Sequence, residues 1–316
     1  MNNRNKVAII GAGAVGLYLS WKLSKKGFKV TVFEKNKKVG LKACSCLISE
    51  RIKDFIPFND ALIENKIKYS LIHFPKKTIR LKFSPVHFAL DREKFDESLE
   101  NIAKEEGVNV IFSKEIYKIP DDFFRIIGCD GALSSTRRHL SLSSPSFRLG
   151  VQLLKEGSVV ENEETDTWPL KNGFCWRIPK GDYIEYGALG NRDSLKEEFS
   201  KFCSDRKISF DWNEVKSALV PQGLIFPKRE NITLCGDASG ITKPWSGGGI
   251  IWGFKAADIL SECFPDLEKY RRKVLKFFRP KLIKGKLASK AIYFIGNNLP
   301  FLLPREISRD NDFPFL

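Results

Sequence analysis

The hydrophobic pattern at the start of the chain predicts a βαβ unit. Residues 6–10 are mostly apolar and rich in β-branched side chains, which is typical of a buried strand. Leu17 and Leu23 belong to a helical pattern that stops at Gly27, and residues 28–34 form a second apolar run. A strand, a helix and a second strand in this order favour a parallel sheet covered by helices.

A second group of elements follows in the next hundred residues. Phe95 and Leu99 recur at helical spacing, and Gly107 gives a stop signal. Residues 108–112 are a short apolar run, which predicts a further buried strand, and residues 126–128 lead into a turn at Asp130-Gly131.

The pattern changes beyond about residue 145, where short alternating runs are broken by Gly and Pro. Such alternation favours an antiparallel sheet with one face buried. Residues 232–235 return to a buried strand, and a glycine triplet at 247–249 precedes a helical pattern through Leu260.

Together these patterns predict an α/β protein. We expect a Rossmann-like domain, an inserted antiparallel β-sheet domain and a C-terminal helical tail. The predicted boundaries are 1–66, 91–142 and 228–263 for the discontinuous Rossmann-like domain, 67–90 and 143–227 for the inserted domain, and 264–316 for the basic tail.

The charge of the chain is concentrated near its C-terminus. Of a formal net charge of +15, ten Lys or Arg lie in residues 269–290, where there is no Asp or Glu. Aromatic and aliphatic residues alternate with these charges, as in an interfacial amphipathic segment. The segment therefore predicts either an anionic membrane surface as partner or a solvated helix face. No nucleic-acid-binding module is recognisable, so we expect no nucleic-acid partner.

No apolar run approaches the ~18 residues of a spanning helix, and no signal peptide is evident. We therefore expect a cytoplasmic protein, peripheral at the membrane if the basic segment binds lipid. The seven cysteines are scattered and odd in number, which fits reduced thiols. The three histidines form no cluster with other ligands, and we expect no metal site.

The glycines between the first strand and helix carry the first chemical signal. Gly11, Gly13 and Gly16 have the G-x-G-x-x-G spacing that allows a tight turn, close approach of a pyrophosphate and close helix packing. Glu34 ends the second strand, where a carboxylate binds adenosine ribose hydroxyls. The residues expected to contact the dinucleotide here are Gly11, Gly13, Ala14, Val15, Gly16, Glu34 and Lys35. The pattern alone does not separate FAD from NAD.

Two further segments resemble the flavoprotein hydroxylase superfamily. Residues 127–138, with Asp130-Gly131, resemble its Asp-Gly segment, and residues 234–240, with Gly236-Asp237, resemble its Gly-Asp motif. This resemblance implies FAD as the cofactor, with Asp237 on the ribityl chain. A glycine loop opening a helix follows, and its backbone is expected to lie against the flavin ring at Gly247, Gly248, Gly249 and Ile250.

Within that superfamily the chain resembles the geranylgeranyl reductase family over residues 6 to about 290. The stretch from Asp91 to Leu99 matches the family, with Arg92 as a candidate cofactor contact, and residues 174–181 resemble its aromatic-x-Trp-x-Phe-Pro signature. The resemblance implies hydride transfer from reduced FAD to isoprenoid C=C bonds, with NADPH or a ferredoxin-like redox protein as electron donor. It also implies that the Rossmann-like domain binds FAD and that the inserted domain is the substrate (cap) domain, with Phe174, Trp176, Pro179 and Trp245 as candidate substrate-binding residues.

Cys44 is the one candidate catalytic residue, because it lies near the position of a cysteine in that family. Here Cys46 stands where glycine is usual, so a role for Cys44 and a Cys44–Cys46 disulfide both remain open. No proton donor is identified.

Two other functions compete with the reductase. Asp130-Gly131 is shared with hydroxylases, and the segment from Phe174 to Pro179 also resembles flavin halogenases, so a monooxygenase or halogenase acting on an apolar or aromatic substrate is the alternative. A non-catalytic, membrane-associated flavin module is the third hypothesis. The apolar segment 291–304 is expected either to cover the substrate cavity or to lie on the membrane.

Overall fold

The computed structural model describes residues 5–157 and 162–314. The remaining positions of the predicted domain ranges, 1–4, 158–161 and 315–316, lie outside the described residues. The chain divides into two compact units. Unit 1 comprises residues 1–41, 93–146 and 221–282, and unit 2 comprises residues 42–92, 147–220 and 283–316.

Both units contain helices and strands. The helices are α1 (Ala14–Ser24), α2 (Arg92–Glu105), α3 (Ser135–His139), α4 (Leu195–Asp205), α5 (Ile250–Cys263) and α6 (Leu267–Asn298). The strands are β1 (Lys6–Ile10), β2 (Lys29–Phe33), β3 (Leu47–Ser49), β4 (Ile63–Phe74), β5 (Lys77–Leu90), β6 (Asn109–Ile111), β7 (Arg125–Gly128), β8 (Ser146–Glu156), β9 (Glu164–Leu170), β10 (Gly173–Lys180), β11 (Tyr183–Gly190), β12 (Lys216–Gln222), β13 (Ile232–Leu234) and β14 (Glu306–Arg309).

Unit 1 contains a parallel sheet of five strands in the order β13-β7-β1-β2-β6. Each of its four strand pairs is parallel. The central strand β1 is buried from Val7 to Ile10, as its apolar sequence predicts. The Rossmann-like fold and the α/β class predicted from the sequence are therefore confirmed.

Helices α1 and α5 pack against each other through small residues and stacked rings. A Cβ on Gly253 would lie 2.3 Å from Cγ2 of Val15, so the absence of a side chain allows the close approach. The rings of Tyr18 and Phe254 are stacked at 4.2 Å, and the Tyr18 hydroxyl donates a 2.6 Å hydrogen bond to Asp258. These contacts fix the helix that begins at the glycine-rich loop.

Unit 2 contains a nine-stranded sheet in the order β12-β8-β11-β10-β9-β4-β5-β14, with β3 also paired to β5. Most of its pairs are antiparallel, as predicted, but β4 pairs with β9 and β5 with β14 in parallel. A parallel pair needs a long connection between its strands, and in both cases a long stretch of chain supplies it. The substrate sheet is therefore mixed rather than purely antiparallel.

One face of this sheet packs on α4. Cys175 of β10 and Phe199 of α4 belong to a single buried apolar cluster with Val151 and Leu153 of β8. Since side chains alternate along a strand, Phe174 and Trp176 lie on the opposite face. One face of the sheet thus packs on α4, and the other face carries the predicted substrate residues Phe174 and Trp176.

The unit boundaries differ from the predicted domain boundaries mainly at residues 42–66 and in the tail, with smaller shifts at 91–92, 143–146 and 221–227. Residues 42–66 lie in unit 2 because β3 pairs with β5 and because β4 begins at Ile63. The predicted separate tail is divided, since residues up to 282 belong to unit 1 and the later ones to unit 2. The tail is also not wholly helical, because it ends in β14.

Among the described residues, none of the helices is both long and apolar enough to cross a membrane.

Candidate cofactor site and substrate face

The glycine-rich loop between β1 and α1 has the geometry of a phosphate cradle. Gly11 has a φ of +103°, and a Cβ there would lie 2.6 Å from the carbonyl oxygen of Cys129. A Cβ on Gly16 would lie 2.0 Å from the Gly11 oxygen. At Gly13, by contrast, a Cβ would meet no atom within 4 Å. Gly11 and Gly16 are thus required by packing, and Gly13 faces open space at the N-terminus of α1, where an anion is stabilised.

Glu34 lies beside this loop with its carboxylate held in place. Its Oε2 accepts a 2.8 Å hydrogen bond from the Ala12 N–H, and its Oε1 accepts from the backbone and side chain of Asn36 at 2.9 and 2.7 Å. The side chain is buried, so its position is defined before any ligand binds. The predicted acid and the predicted glycine loop are therefore brought together.

Asp130 organises the Asp-Gly segment that follows β7. Its Oδ2 accepts hydrogen bonds from the Ser135 hydroxyl and from the N–H and hydroxyl of Thr136, at 2.9, 2.9 and 3.0 Å. Its buried Oδ1 has no hydrogen-bond partner among the described residues. Because an unsatisfied buried oxygen is costly, this atom is suited to a donor from a bound group.

Arg137 links the Asp-Gly segment to the Gly-Asp motif, which sequence reasoning missed. Its guanidinium donates to the Ala238 oxygen at 2.9 Å and to the Ala132 oxygen at 2.7 Å, and the side chain is only 2% exposed. The residue belongs to the quoted Asp-Gly segment, but its partner at Ala238 is a hundred residues away in sequence. Only the tertiary structure therefore identifies its role.

The Gly-Asp motif and the glycine triplet lie against each other. Gly236 has a φ of +63° and packs on Val15, where a Cβ would be 3.1 Å from Cγ1. A Cβ on Gly249 would lie 2.8 Å from Asp237 Oδ1, so the triplet leaves room for that carboxylate. The loop closes by a 2.8 Å hydrogen bond from the Gly247 N–H to the Lys243 oxygen.

Lys243 is a second residue that the sequence reasoning missed. Its side chain is 6% exposed, and its Nζ lies 3.3 Å from the position of a Cβ on Gly248. A buried ammonium therefore lies directly beside the glycine triplet. A cation here favours negative charge on any group that the triplet contacts.

These residues fit an FAD molecule. The open side of Gly13, the fixed carboxylate of Glu34 and the unsatisfied Asp130 oxygen are the features that a dinucleotide with polar hydroxyls and a pyrophosphate needs. The other predicted cofactor residues are placed as follows: Ala14 and Val15 in the first turn of α1, Lys35 exposed after β2, Gly131 at a φ of +77°, Arg92 at the start of α2, and Ile250 at the start of α5.

The predicted substrate residues of unit 2 lie on β10. Phe174 and Trp176 are half-buried with ring centroids 5.7 Å apart, and Pro179 is buried. A Cβ on Gly187 of β11 would lie 2.2 Å from the indole, so the ring rests directly on the backbone of the neighbouring strand. The arrangement gives an aromatic surface of two rings, tilted by 49° to each other, on the sheet face opposite α4.

Trp245, the fourth predicted substrate residue, belongs to unit 1. It packs edge-on against the buried Trp252 with ring centroids 5.6 Å apart.

A buried ion pair holds Trp176 in place. The indole N–H donates a 2.8 Å hydrogen bond to Glu185, whose other oxygen lies 3.3 Å from the ammonium of Lys180. Glu185 is fully buried, and Lys180 also donates to the Leu90 oxygen at 3.2 Å. Burial acts to lower the pKa of Lys180, but Glu185 and the nearby thiols outweigh it and raise that pKa above its usual value. Neither residue was expected from the sequence to hold the indole in place.

Cys44 and Cys46 are both free thiols. Cys46 has a φ of +49°, in the left-handed region that favours glycine, and its N–H donates to Cys44 Sγ at 3.4 Å. The sequence left a disulfide between them open, and the structure has none.

The chain is similar in sequence to known proteins. A family model described as an NAD(P)-binding Rossmann-like domain matches residues 9–54. A digeranylgeranylglycerophospholipid reductase of Methanosarcina acetivorans is 26% identical over 81% of this chain and 74% of its own length. One of Methanococcoides burtonii is 22% identical over 94% of this chain and 86% of its own.

Solved structures share the fold. A geranylgeranyl bacteriochlorophyll reductase-like protein of Thermoplasma acidophilum aligns with a TM-score of 0.77 and 22% identity, over 90% of this chain and 86% of its own. A flavin-dependent brominase aligns with a TM-score of 0.71 and 15% identity, over 91% of each chain. The resemblance to geranylgeranyl reductases that the motifs indicated is thus confirmed by independent similarities.

Proposed function

The chain is an FAD-dependent oxidoreductase similar to the geranylgeranyl reductase family, and on this premise we propose that it saturates the C=C bonds of an isoprenoid lipid. The observation that carries the proposal is the aromatic surface of Phe174 and Trp176, held by a buried Glu185, in a chain that also has the flavin-type site. A polyprenyl chain has no polar handle, so it must be recognised by flat apolar surface.

Reduced FAD, when bound, supplies the hydride for such a reaction. The residues of the chain do the remaining work. Glu34 and the Gly13 loop bind and orient the nucleotide half, and Asp130 and Asp237 accept hydrogen bonds from hydroxyl groups. Glu185 fixes the indole of Trp176, so that the alkene meets a rigid wall rather than a mobile ring.

Membrane lipids are the substrate class we propose. Two relatives are named for the reduction of a digeranylgeranyl glycerophospholipid, which combines polyprenyl chains with an anionic head group. The proposed enzyme therefore acts in the cytoplasm at the membrane surface, where such lipids are found.

For the electron donor we propose NADPH or a ferredoxin-like protein. The single G-x-G-x-x-G loop is assigned to FAD, so NADPH would dock only transiently. A net charge of +15 favours an acidic redox protein by electrostatic steering.

The test is anaerobic incubation of dithionite-reduced holoenzyme with a geranylgeranylated phospholipid, followed by mass spectrometry. We expect mass gains in steps of two hydrogens. A Trp176→Ala variant should bind FAD normally yet reduce the lipid more slowly, because it removes the aromatic wall of unit 2 together with its hydrogen bond to Glu185. If the lipid is unchanged while the flavin stays reduced, the proposal is wrong.

A monooxygenase or halogenase is the second candidate, favoured by the brominase that shares the fold and by the segment from Phe174 to Pro179. It predicts oxygen or halogen in the product when air and a halide are supplied. Mass spectrometry of the same lipid, and of an aromatic substrate such as a phenol, distinguishes the two reactions.

A further inference from the structure

The exposed side of the second half of α6 carries large apolar side chains. Ile283, Leu287 and Phe294 are 55, 63 and 61% exposed, and their spacing of four and seven residues places them on one face of the helix. Phe301 and Leu302, in the short 3-10 turn after the helix, are 74 and 59% exposed. Six of the twelve exposed large hydrophobic side chains among the described residues lie within residues 283–302.

The other side of the same segment is anchored in unit 2. The Tyr293 hydroxyl donates a 2.9 Å hydrogen bond to the Gly173 oxygen, and Gly296 fits against the ring of Phe74. Ile295 packs against a buried cluster of Phe74, Ile79 and Leu303. The helix is therefore fixed by its inner side, and the apolar outer face is a stable feature of the surface.

Charge accompanies this apolar face. Lys284, Lys286 and Lys290 are exposed on the same half of the helix, and residues 269–305 contain no Asp or Glu. A second copy of the chain would bring like charges together, which opposes self-association through this face. The face is complemented by a partner surface that accepts apolar side chains and carries negative charge.

The first half of α6 has a different environment. Tyr270, Val274 and Phe278 are fully buried in unit 1, so these apolar members of the predicted segment 269–290 cannot contact lipid. The apolar part of a lipid-binding surface must therefore lie in the second half of α6 and beyond, nearer the C-terminus than most of the charged residues of segment 269–290.

We propose that residues 283–302 form a docking surface for the head-group region of an anionic lipid bilayer, with Ile283, Leu287, Phe294, Phe301 and Leu302 inserted among the lipids and the lysines on phosphate groups. Partly buried apolar side chains and basic residues near an anionic surface each strengthen such binding. The inference deepens the proposed function, since it names the surface at which the enzyme would meet a membrane lipid.

The test is co-sedimentation of the FAD-loaded full chain with phosphatidylcholine vesicles, with and without phosphatidylglycerol. We expect binding only with phosphatidylglycerol, weakened by high salt because salt screens the lysines. Lys286→Glu combined with Lys290→Glu should lower the partition coefficient about tenfold or more. Lys201→Glu combined with Lys216→Glu makes the same charge change at exposed lysines of α4 and β12 and should leave binding nearly intact.

The apolar contribution has its own pair of variants. Phe294→Asp should lower the partition coefficient about tenfold, whereas Tyr117→Asp, at an aromatic residue that is 75% exposed in unit 1, should change it little. The inference is overturned if each control variant loses as much vesicle binding as its docking-surface variant. It is also overturned if the unaltered protein does not bind the vesicles at low salt. Concentration-dependent dimerisation that Phe294→Asp abolishes would overturn it too, because it would assign the face to a second copy.

Turnover is measured separately, on a short isoprenoid alcohol dispersed in detergent. Vesicle binding without any reduction of the alcohol or the lipid leaves the surface standing and removes the proposed reaction. Reduction of the alcohol by a protein that does not bind vesicles supports the proposed reaction and removes the docking surface.

Discussion

Cys46 adopts a backbone conformation that its own side chain disfavours. Its φ of +49° costs a residue with a Cβ ~1–2 kcal/mol, whereas glycine adopts it freely. We therefore expect Cys46→Gly to be about 1 kcal/mol more stable than Cys46→Ala, measured by urea unfolding. At an ordinary position the order is reversed, so a more stable alanine variant would contradict this conformation.

The buried guanidinium of Arg137 holds two flavin-site segments together, and its removal should weaken FAD binding. Arg137→Met keeps much of the apolar stem but loses both hydrogen bonds to the Ala132 and Ala238 oxygens. We expect the Kd for FAD, measured by titration of the apoprotein, to rise about tenfold or more. The neighbouring Arg138 is exposed and its guanidinium donates to the Leu133 oxygen, so Arg138→Met is the control and should leave the Kd nearly unchanged.

At the scale of single residues, the sequence predicts those residues whose role depends on contacts within a short stretch of chain. Gly11, Gly16 and Glu34 follow from spacing alone, because the turn, the helix and the strand end lie within one βαβ unit. The pair Lys180–Glu185 has no such signal, since a buried charge is indistinguishable from a surface charge in a sequence. Its burial depends on which strand lies beside β10 and which face is covered.

At the scale of elements, α1 packs closely on α5 because Gly253 has no side chain, and substitution of this glycine tests the contact. A methyl group on Gly253 would overlap Val15 at 2.3 Å, so Gly253→Ala should destabilise the protein by ~1–3 kcal/mol despite the better helix propensity of alanine. Adding Val15→Ala removes the overlapping methyl groups. The double variant should then be more stable than the sum of the single changes indicates, as measured by a double-mutant cycle in urea. Strict additivity would show that the two helices do not meet there.

The sequence predicts helices and central strands better than it predicts strand pairing. Helical periodicity and stop signals give α2 and α5, and continuous apolar runs give β1 and β13. The parallel pairing of β14 with β5 has no local signal, because its partners are more than two hundred residues apart. Because this pairing leaves no local signal, the sequence predicts a separate helical tail instead of a strand in the sheet of unit 2.

At the scale of the whole molecule, the tail after α6 belongs to the architecture of unit 2. Asp312 is fully buried and accepts a hydrogen bond from Ser49, and Arg51 pairs with Asp310 at 2.6 Å. Asp312→Ala should therefore lower the free energy of unfolding by ~2–3 kcal/mol, since a buried charge-assisted hydrogen bond is lost. Differential scanning calorimetry is the measurement.

The control for this change is Asp205→Ala, which removes an exposed carboxylate at the end of α4. It should leave the melting temperature within a degree or two of the unaltered protein. Equal effects of the two alanine variants would mean that the tail does not stabilise unit 2.

The three-segment construction of both units has a consequence for protein synthesis. The sheet of unit 1 lacks β13 until residues 232–234 have left the ribosome, and the sheet of unit 2 lacks β14 until residues 306–309 have done so. Long strands such as β4 and β5 emerge early and present unpaired edges while the rest of the chain is translated. The nascent chain therefore passes most of its translation time in an aggregation-prone state, and its yield in a cell should depend strongly on chaperones that cover strand edges.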